Sequence, residues 1–201
     1  MPGVFADATT VSRIVTETAA PEASAEVTRF AAEVNAGWDI GGNANGGYLM
    51  AIAGRAMAEA VGRPPVTLTA HYLRPAPAGP CEIEVATVRS GRRFATATAA
   101  LTMESGQILQ LLGTFGEQTP GGPSLTREPP VDLPDYDDCE EPPSPIEGPK
   151  PEMMRRLAVR IRPGDEGFRI GKPSGSPEIR GWFAFADGEP IDAIGLLLVA
   201  D

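Results

Sequence analysis

Histidine, cysteine and long apolar runs are scarce in this chain, and each scarcity excludes a class of protein. His71 is the only histidine in 201 residues, so a Ser-His-Asp triad would have to use it, and no Gly-x-Ser-x-Gly elbow accompanies it. Cys81 and Cys139 are the only thiols, which leaves no disulfide framework and no spacing typical of a metal site. We therefore expect no metal, and a chain of the reducing cytoplasm.

Basic residues are also few: the chain has 17 Lys and Arg and 27 Asp and Glu, which gives a net charge of −10. That balance disfavours nucleic acid or an anionic membrane surface as the main partner. No apolar run approaches the length of a membrane span, and no basic-then-apolar signal sequence begins the chain. A small anionic ligand stays compatible with this charge, since a local pair such as Arg92 and Arg93 can oppose the overall sign.

Residues 38–115 carry the clearest structural pattern. A glycine-rich stretch opens a long run of Ala, Met and Leu, with Asn43 and Asn45 as candidate N-caps and Gly62 as its end, which predicts a helix over 46–61. Alternating apolar segments at 66–73, 81–88, 93–103 and 107–115 predict four antiparallel strands joined by Gly-containing turns. A further strand is expected at 27–38 and an edge strand at 11–18, whereas residues 1–10 are expected to be mobile or a weak strand. An antiparallel sheet around one small-residue helix suits a narrow apolar tunnel for an acyl chain.

The remainder of the chain changes character twice. Residues 118–150 mix prolines with acidic side chains and predict a stiff, extended linker. The order of strand, turn and small-residue helix at 30–61 is then repeated weakly, by a stretch at 153–161, a strand at 178–186 and an apolar helix from Asp192. That last helix is apolar nearly all round, and no C-cap or covering strand follows it. We therefore expect the sequence to be cut short within this second unit.

Four sequence pieces carry a family resemblance. They are Gly-Gly-Asn-Ala-Asn-Gly-Gly-Tyr-Leu at 41–49, His-Tyr-Leu-Arg-Pro at 71–75, Arg-Ser-Gly-Arg-Arg-Phe-Ala-Thr at 89–96, and the closing strand at 111–115. In this order they resemble the acyl-CoA thioesterases that hold two hotdog domains in one polypeptide, the thioesterase II type. The resemblance covers most of residues 30–117 and roughly 151–201. It implies an α+β hotdog fold with an N-terminal hotdog at 1–117, a linker at 118–150 and the beginning of a C-terminal hotdog at 151–201.

The resemblance also implies a catalytic residue. The family's catalytic carboxylate lies on the central helix of the second hotdog, in a Leu-x-x-Ala-Asp sequence, and residues 197–201 fit that pattern with Asp201 as its counterpart. A Thr and a Gln from later strands also hold the water in this family, and this sequence offers no strands from which to assign them. Asp201 has a structural alternative as a polar residue that ends a buried helix. As a catalytic group, a carboxylate would orient and partly deprotonate the water that attacks a thioester.

Five residues of the first half are candidates for substrate binding, and each has a structural alternative. The amides of Gly46 and Gly47 are candidates for the oxyanion, or these glycines simply start a helix and allow close packing. The ring of Tyr48 lines the acyl tunnel or packs in the core. Arg92 and Arg93 contact the CoA phosphates or form an exposed turn. No acid lies on the first helix before Glu59, so we expect the first half to be structural or chain-binding.

Our leading hypothesis is a fatty acyl-CoA thioesterase that hydrolyses an acyl thioester by water attack, with no metal or nucleotide cofactor. Its expected partners are acyl-CoA or another acyl thioester and further copies of the chain as a homo-oligomer, with no nucleic acid and no membrane span. Two alternatives stay open: a non-catalytic module that binds acyl-CoA or an acyl carrier, and an enoyl-thioester hydratase-like hotdog that uses His71. The sequence alone does not decide between them.

Overall fold

The computed structural model describes residues 3–15, 26–117, 129–142 and 150–201. The chain divides into two compact units, Met1–Gln118 with Ile191–Asp201, and Thr119–Pro190. Parts of the predicted linker (118–128 and 143–149) and the end of the predicted edge strand (16–18) lie outside the described residues. The predicted C-terminal region, 151–201, is divided between the two units, and its identity as the start of a second hotdog stays a prediction.

The predicted strands and helices occur in the predicted order, but the strand expected at 27–38 ends at Val34. The structure also adds the helix Val4–Ala8 and the short strands Asp39–Ile40 and Asn43–Ala44. The first unit contains, in chain order, α1 Val4–Ala8, β1 Val11–Ile14, β2 Glu26–Val34, β3 Asp39–Ile40, β4 Asn43–Ala44, α2 Gly46–Val61, β5 Pro65–Tyr72, β6 Gly79–Ser90, β7 Phe94–Met103 and β8 Gly106–Gly116. The second unit contributes α3 Glu152–Arg155, β9 Leu157–Ile161 and β10 Gly181–Phe185, and the chain then returns to the first unit with α4 Gly195–Val199. The predicted helix at 46–61 is confirmed residue for residue, and β5 to β8 lie within two residues of their predicted bounds.

The first unit is built on a six-stranded sheet in the order β1-β2-β6-β7-β8-β5, with every neighbouring pair antiparallel. Burial alternates along β7, where Ala95, Ala97, Ala99 and Leu101 are buried. The register sets all four opposite buried residues of β8, and sets Ala99 and Leu101 opposite buried Val85 and Ile83 of β6, so one face of the sheet is apolar. Helix α2 contacts β2, β5, β6, β7 and β8. The predicted arrangement, an antiparallel sheet packed on one central helix, is confirmed.

Both ends of α2 carry the predicted caps. Asn45 is the N-cap, and its Oδ1 accepts a hydrogen bond from Tyr48 N at 2.9 Å. Gly62 ends the helix in the left-handed conformation (φ +72°), and its N–H bonds to Ala58 O at 2.8 Å. No helix in the described ranges is long and apolar enough to cross a membrane.

The N-terminus differs from the expectation of a mobile segment or weak strand, because residues Val4–Ala8 form α1. Phe5 is buried, and its ring makes a T-shaped contact with Trp38 at a centroid distance of 5.4 Å. Thr9 Oγ1 closes the turn by donating to Phe5 O at 2.9 Å. A five-residue helix is too short for an apolar period to be read from sequence, and this one is stabilised by its contact with Trp38.

The second unit contains an antiparallel pair, β9 with β10, in which Val159 lies opposite Phe183. Glu140 forms an isolated antiparallel bridge to Ile161, with both N–H···O bonds made at 2.7–2.8 Å. Cys139 beside it is buried. The described part of the predicted linker, residues 129–142, is therefore attached to β9 in this unit.

Candidate active site

Helix α4 packs against α2 because α2 presents glycine where α4 approaches. Gly47 and Gly54 are seven residues apart, which is two helical turns and so the same face. A Cβ on Gly47 would lie 2.6 Å from Leu197 O and 2.8 Å from Leu198 Cα, and a Cβ on Gly54 would lie 2.9 Å from Leu197 Cδ1. Glycine within a helix costs roughly 0.5–1 kcal/mol relative to Ala. These two glycines therefore serve the close approach of α4.

The start of α4 is fixed by a carboxylate. Asp192 Oδ1 accepts hydrogen bonds from Ile194 N at 2.9 Å and Gly195 N at 2.7 Å, just before the first helical turn. Ile194 and Leu198 are buried. The chain leaves α4 through Ala200 toward the N-terminal end of α2, which is where Asp201 lies.

Asp201 lies directly over the first residues of α2. A Cβ on Gly46 would be 2.8 Å from Asp201 Oδ1, and a Cβ on Gly47 would be 2.9 Å from Asp201 Cβ. Neither position has room for a side chain, so the pair of glycines admits the carboxylate to the helix terminus. The macrodipole stabilises a negative charge at this end of a helix. Three predicted site residues, Gly46, Gly47 and Asp201, are thus brought together.

Asn45 joins this cluster through a direct hydrogen bond, in which Asn45 Nδ2 donates to Asp201 Oδ2 at 2.6 Å. The sequence predicted Asn45 only as an N-cap. In the structure its side chain makes two contacts at once, because Oδ1 caps α2 while Nδ2 holds the carboxylate.

Tyr72 is the second residue of the cluster that the sequence placed only in a strand. Its ring atoms Cε1 and Cζ lie 3.1 Å from the position that a Gly46 Cβ would occupy, beside Asp201 Oδ1. Partial burial and, secondarily, the negative charge of Asp201 raise the pKa of the Tyr72 phenol above its ordinary value of 10.0. At neutral pH the phenol is therefore protonated and able to donate a hydrogen bond.

The N-terminus of α2 offers backbone donors at the same place. Tyr48 N and Leu49 N bond to Asn45, whereas within the described ranges Gly46 N and Gly47 N have no assigned acceptor. The first amides of any helix lack intrahelical partners. The cluster therefore combines one carboxylate, one carboxamide, one phenol and two amide donors.

Tyr48 does not belong to this surface. Its ring is fully buried and stacks on Trp38 at a centroid distance of 5.3 Å. Its hydroxyl donates to Ala8 O at 2.8 Å and accepts from Asn35 N at 3.0 Å. Of the two predicted roles for Tyr48, the geometry agrees with core packing, and its ring offers no free face to a substrate.

Arg92 and Arg93 lie at the other end of α2. They are exposed in the turn between β6 and β7, and Arg63 Nη1, just past the C-terminus of α2, donates to Gly91 O in that turn at 2.8 Å. With 16 residues, α2 is about 24 Å long. The structure therefore does not bring the two arginines together with Gly46, Gly47 and Asp201.

His71 also lies apart from the cluster. It is exposed on β5, opposite Gln110 of β8, and alternation along the strand turns it to the face opposite Tyr72. In the parts of the chain that the structure describes, no three residues of the types His, Cys, Asp or Glu group closely enough to hold a metal ion.

Cys81 lines a cleft of about 420 Å³ beside Glu82 and Glu104. Burial, and then the charge of Glu33, raises the pKa of the Cys81 thiol to about 12, so it is not a thiolate nucleophile at neutral pH. None of the six predicted site residues lines this cleft, and its two carboxylates would repel CoA phosphates.

Comparison with solved structures identifies the fold. A proposed thioesterase II from Thermobifida fusca superposes with a TM-score of 0.81 at 24% identity, over 99% of this chain and 71% of that one. A hot dog fold protein of unknown function from Alicyclobacillus acidocaldarius matches with a TM-score of 0.71 at 20% identity, over 100% and 69% of the two chains. A proposed thioesterase from Novosphingobium aromaticivorans has a TM-score of 0.70 at 27% identity, over 86% and 67%. The predicted hotdog fold is confirmed.

Comparison with the curated proteins finds no match. Two family models match the sequence, one for the acyl-CoA thioesterase N-terminal domain at residues 34–116 and one for the acyl-CoA thioesterase C-terminal domain at 136–201. They cover 83 and 66 residues, together 149 of 201, and lie in the order that their descriptions give. These two parts of the chain are therefore similar to the N-terminal and C-terminal domains of acyl-CoA thioesterases.

Proposed function

We propose that this protein hydrolyses acyl-CoA thioesters to the free acid and CoA, with Asp201 as the base that activates water. The observation that carries the proposal is the convergence of Asp201 with Asn45 and Tyr72 on the glycine pair that starts α2. The two domain matches and the thioesterase neighbour from Novosphingobium aromaticivorans support the reaction class. Fatty acyl chains are the substrate class that we expect from these matches, and assembly into a homo-oligomer and a cytoplasmic location belong to the same proposal.

The proposed reaction uses the Asp201 carboxylate and the helix-start amides of this cluster. A water molecule adds through its oxygen to the thioester carbonyl carbon while the Asp201 carboxylate takes its proton. The carbonyl oxygen becomes an oxyanion, for which the amides of Gly46 and Gly47 are the proposed donors. The tetrahedral intermediate then breaks its C–S bond, and the proton held by Asp201 leaves with the CoA sulfur as a thiol. All atoms balance with water as the only co-reactant.

The first experiment measures CoA release by the purified protein from a series of acyl-CoA esters that differ in chain length. We expect saturable, enzyme-dependent release of one thiol for each free acid formed. Binding of the esters without turnover would instead support the non-catalytic alternative and contradict hydrolysis.

A single-turnover reaction in water labelled with heavy oxygen then tests how the water enters. Direct attack, as proposed, incorporates one solvent oxygen into the first equivalent of free acid. If Asp201 itself attacked the thioester and water then opened the resulting anhydride at the Asp201 carbonyl, the first free acid would contain an unlabelled oxygen of the protein and Asp201 would carry the label. An unlabelled first equivalent of acid, or label in Asp201, would therefore contradict the role of Asp201 as a base.

The hydratase-like alternative receives no support from the geometry, because His71 faces away from Tyr72 and lies on the exposed side of β5. His71→Ala is accordingly expected to retain full hydrolysis.

A further inference from the structure

Asn45 holds a fixed position before it meets Asp201. Its backbone N–H donates to Trp38 O at 2.9 Å, its carbonyl accepts from Leu49 N at 3.1 Å, and its Oδ1 accepts from Tyr48 N at 2.9 Å. These three bonds fix both the backbone of the residue and one end of its side-chain amide.

The second end of the amide follows from the first, because a carboxamide is planar. With Oδ1 directed at Tyr48 N, Nδ2 must point away from the helix, and it meets Asp201 Oδ2 at 2.6 Å. The reverse orientation would set an NH₂ group against an N–H and an oxygen against a carboxylate, so the donor assignment is unambiguous.

The two oxygens of Asp201 therefore have different surroundings. Oδ2 accepts the Asn45 amide, whereas Oδ1 lies over Gly46 beside the Tyr72 ring. Tyr72 on β5 is a titratable side chain that lies beside Asp201 there, whereas Asn45 and the glycines of α2 carry no charge. Oδ1 is the oxygen left available to a water molecule.

We propose that Asn45 is a positioning residue for hydrolysis, which holds Oδ2 of Asp201 so that Oδ1 faces the attacking water. This role rests on the proposed function of Asp201 as the base. The consequence is that the helix cap and the catalytic carboxylate share one side chain, so the geometry of the base is set by the start of α2.

Asn45→Asp tests the role because Asp caps a helix about as well as Asn, yet it replaces the donor by a second carboxylate. Two carboxylates at this distance cannot both ionise readily. We expect kcat at neutral pH to fall by about tenfold or more, with KM within about twofold, and the acid limb of the pH–rate profile to move to higher pH. A merely structural contact would not produce that shift in the profile.

Asn45→Ser is the matched control, because Ser also caps well but adds no charge. It should lower kcat without moving the acid limb upward, and both variants should keep the thermal unfolding midpoint of the wild type within a few degrees. The double variant Asn45→Asp with Asp201→Asn restores a carboxylate–amide pair but moves the carboxylate to position 45. It should keep the same unfolding midpoint and stay inactive.

The outcomes separate the two claims. An active wild type whose kcat and pH profile are unchanged in Asn45→Asp overturns the positioning role alone. A wild type that releases no CoA from any ester overturns the proposed function, and the positioning role fails with it. Hydrolysis by the double variant at the wild-type rate would contradict the assignment of the base to residue 201.

Discussion

The two ends of α2 resemble each other in sequence but differ in the side chains that contact them. Each end has glycine and, nearby, charged side chains. At the C-terminal end, Gly62 closes the helix on itself, and Arg63 uses its guanidinium to bind a backbone carbonyl of the β6–β7 turn. At the N-terminal end, Gly46 and Gly47 leave room for the carboxylate of Asp201. Asp201 belongs to the segment after β10 and lies at least 154 residues further along the chain.

The difference lies in how each end is closed. At the C-terminal end, Gly62 N and Arg63 N both donate to Ala58 O, so the chain's own backbone turns back onto the helix. The N-terminal end combines amide donors with the Asp201 carboxylate, which Asn45 holds. In the proposed reaction the amides are the donors for the oxyanion and the carboxylate is the proton acceptor. Five predictions examine this contrast, from the largest expected effect to the smallest.

Of these five changes, Gly47→Ala should have the largest combined effect on stability and rate, because the new Cβ would lie 2.6 Å and 2.8 Å from backbone atoms of α4. Backbone cannot move aside as a side chain can, so α4 and Asp201 must shift. We expect a loss of about 1–3 kcal/mol in the free energy of unfolding, measured by urea denaturation, and at least tenfold slower hydrolysis.

Gly62→Ala is the matched substitution at the other end, where a Cβ would meet nothing within 4 Å but the residue would keep φ +72°. The left-handed conformation costs an L-residue about 1–2 kcal/mol, so stability should fall while kcat per folded molecule stays unchanged. Equal losses of kcat in the two alanine variants would contradict the contrast between the ends.

Tyr48→Phe should destabilise the protein without changing its chemistry. The hydroxyl lost in this variant bonds to Ala8 O and Asn35 N in the core, and leaving buried groups unsatisfied costs about 1–3 kcal/mol. Urea denaturation measures the loss, and steady-state kinetics should give unchanged kcat and KM at a temperature where the variant is folded. A raised KM with unchanged stability would instead indicate that Tyr48 contacts the substrate.

Tyr72 provides a smaller, pH-dependent signal at the N-terminal end. Because its pKa is raised in the folded state, its contribution to stability is present below pH 10 and is lost as the pH rises through the folded value. In Asp201→Asn the charge is removed but burial remains, so the pKa should move down part of the way toward 10.0. Near-ultraviolet absorbance titration measures the phenolate, and an identical titration in wild type and variant would place Tyr72 away from Asp201.

Replacing Arg92 and Arg93 together by Ala should have the smallest effect. Both side chains are exposed in a turn at the C-terminal end of α2, and surface substitutions of this kind change stability by about 0.5 kcal/mol or less. We expect KM for acyl-CoA to stay within about twofold. A KM increase of tenfold or more, reversed by substrates that lack the CoA phosphates, would instead establish phosphate binding at this end.

Local signals explain which parts of the fold could be predicted. Helix α2 was predicted to the residue because its N-cap Asn45 and its C-terminal Gly62 are both encoded locally, and the strands β5 to β8 follow from alternation between glycine turns. Helix α1 was missed because it depends on burying Phe5 against Trp38, a contact between residues 33 positions apart.

The candidate site was predictable only in part, because its members are distant in sequence. The resemblance supplied Asp201 and the glycine pair, but nothing local in the sequence indicated that Asn45 or Tyr72 would meet that carboxylate. The available signal was the seven-residue spacing of Gly47 and Gly54, which marks a helix face open to a close neighbour. Arg92 and Arg93 were grouped with the site by their charge, whereas the β6–β7 hairpin carries them to the opposite end of α2.

The most direct test of the account is the rate of acyl-CoA hydrolysis by Asp201→Asn beside Glu59→Gln. Both variants neutralise one acid, but Asp201 lies at the N-terminal end of α2 and the exposed Glu59 lies near its C-terminal end. The account predicts that kcat/KM falls by about 100-fold or more in Asp201→Asn, as for loss of a general base, and stays within about twofold in Glu59→Gln. Wild-type turnover in folded Asp201→Asn would contradict the assignment of the chemistry to this end of the helix.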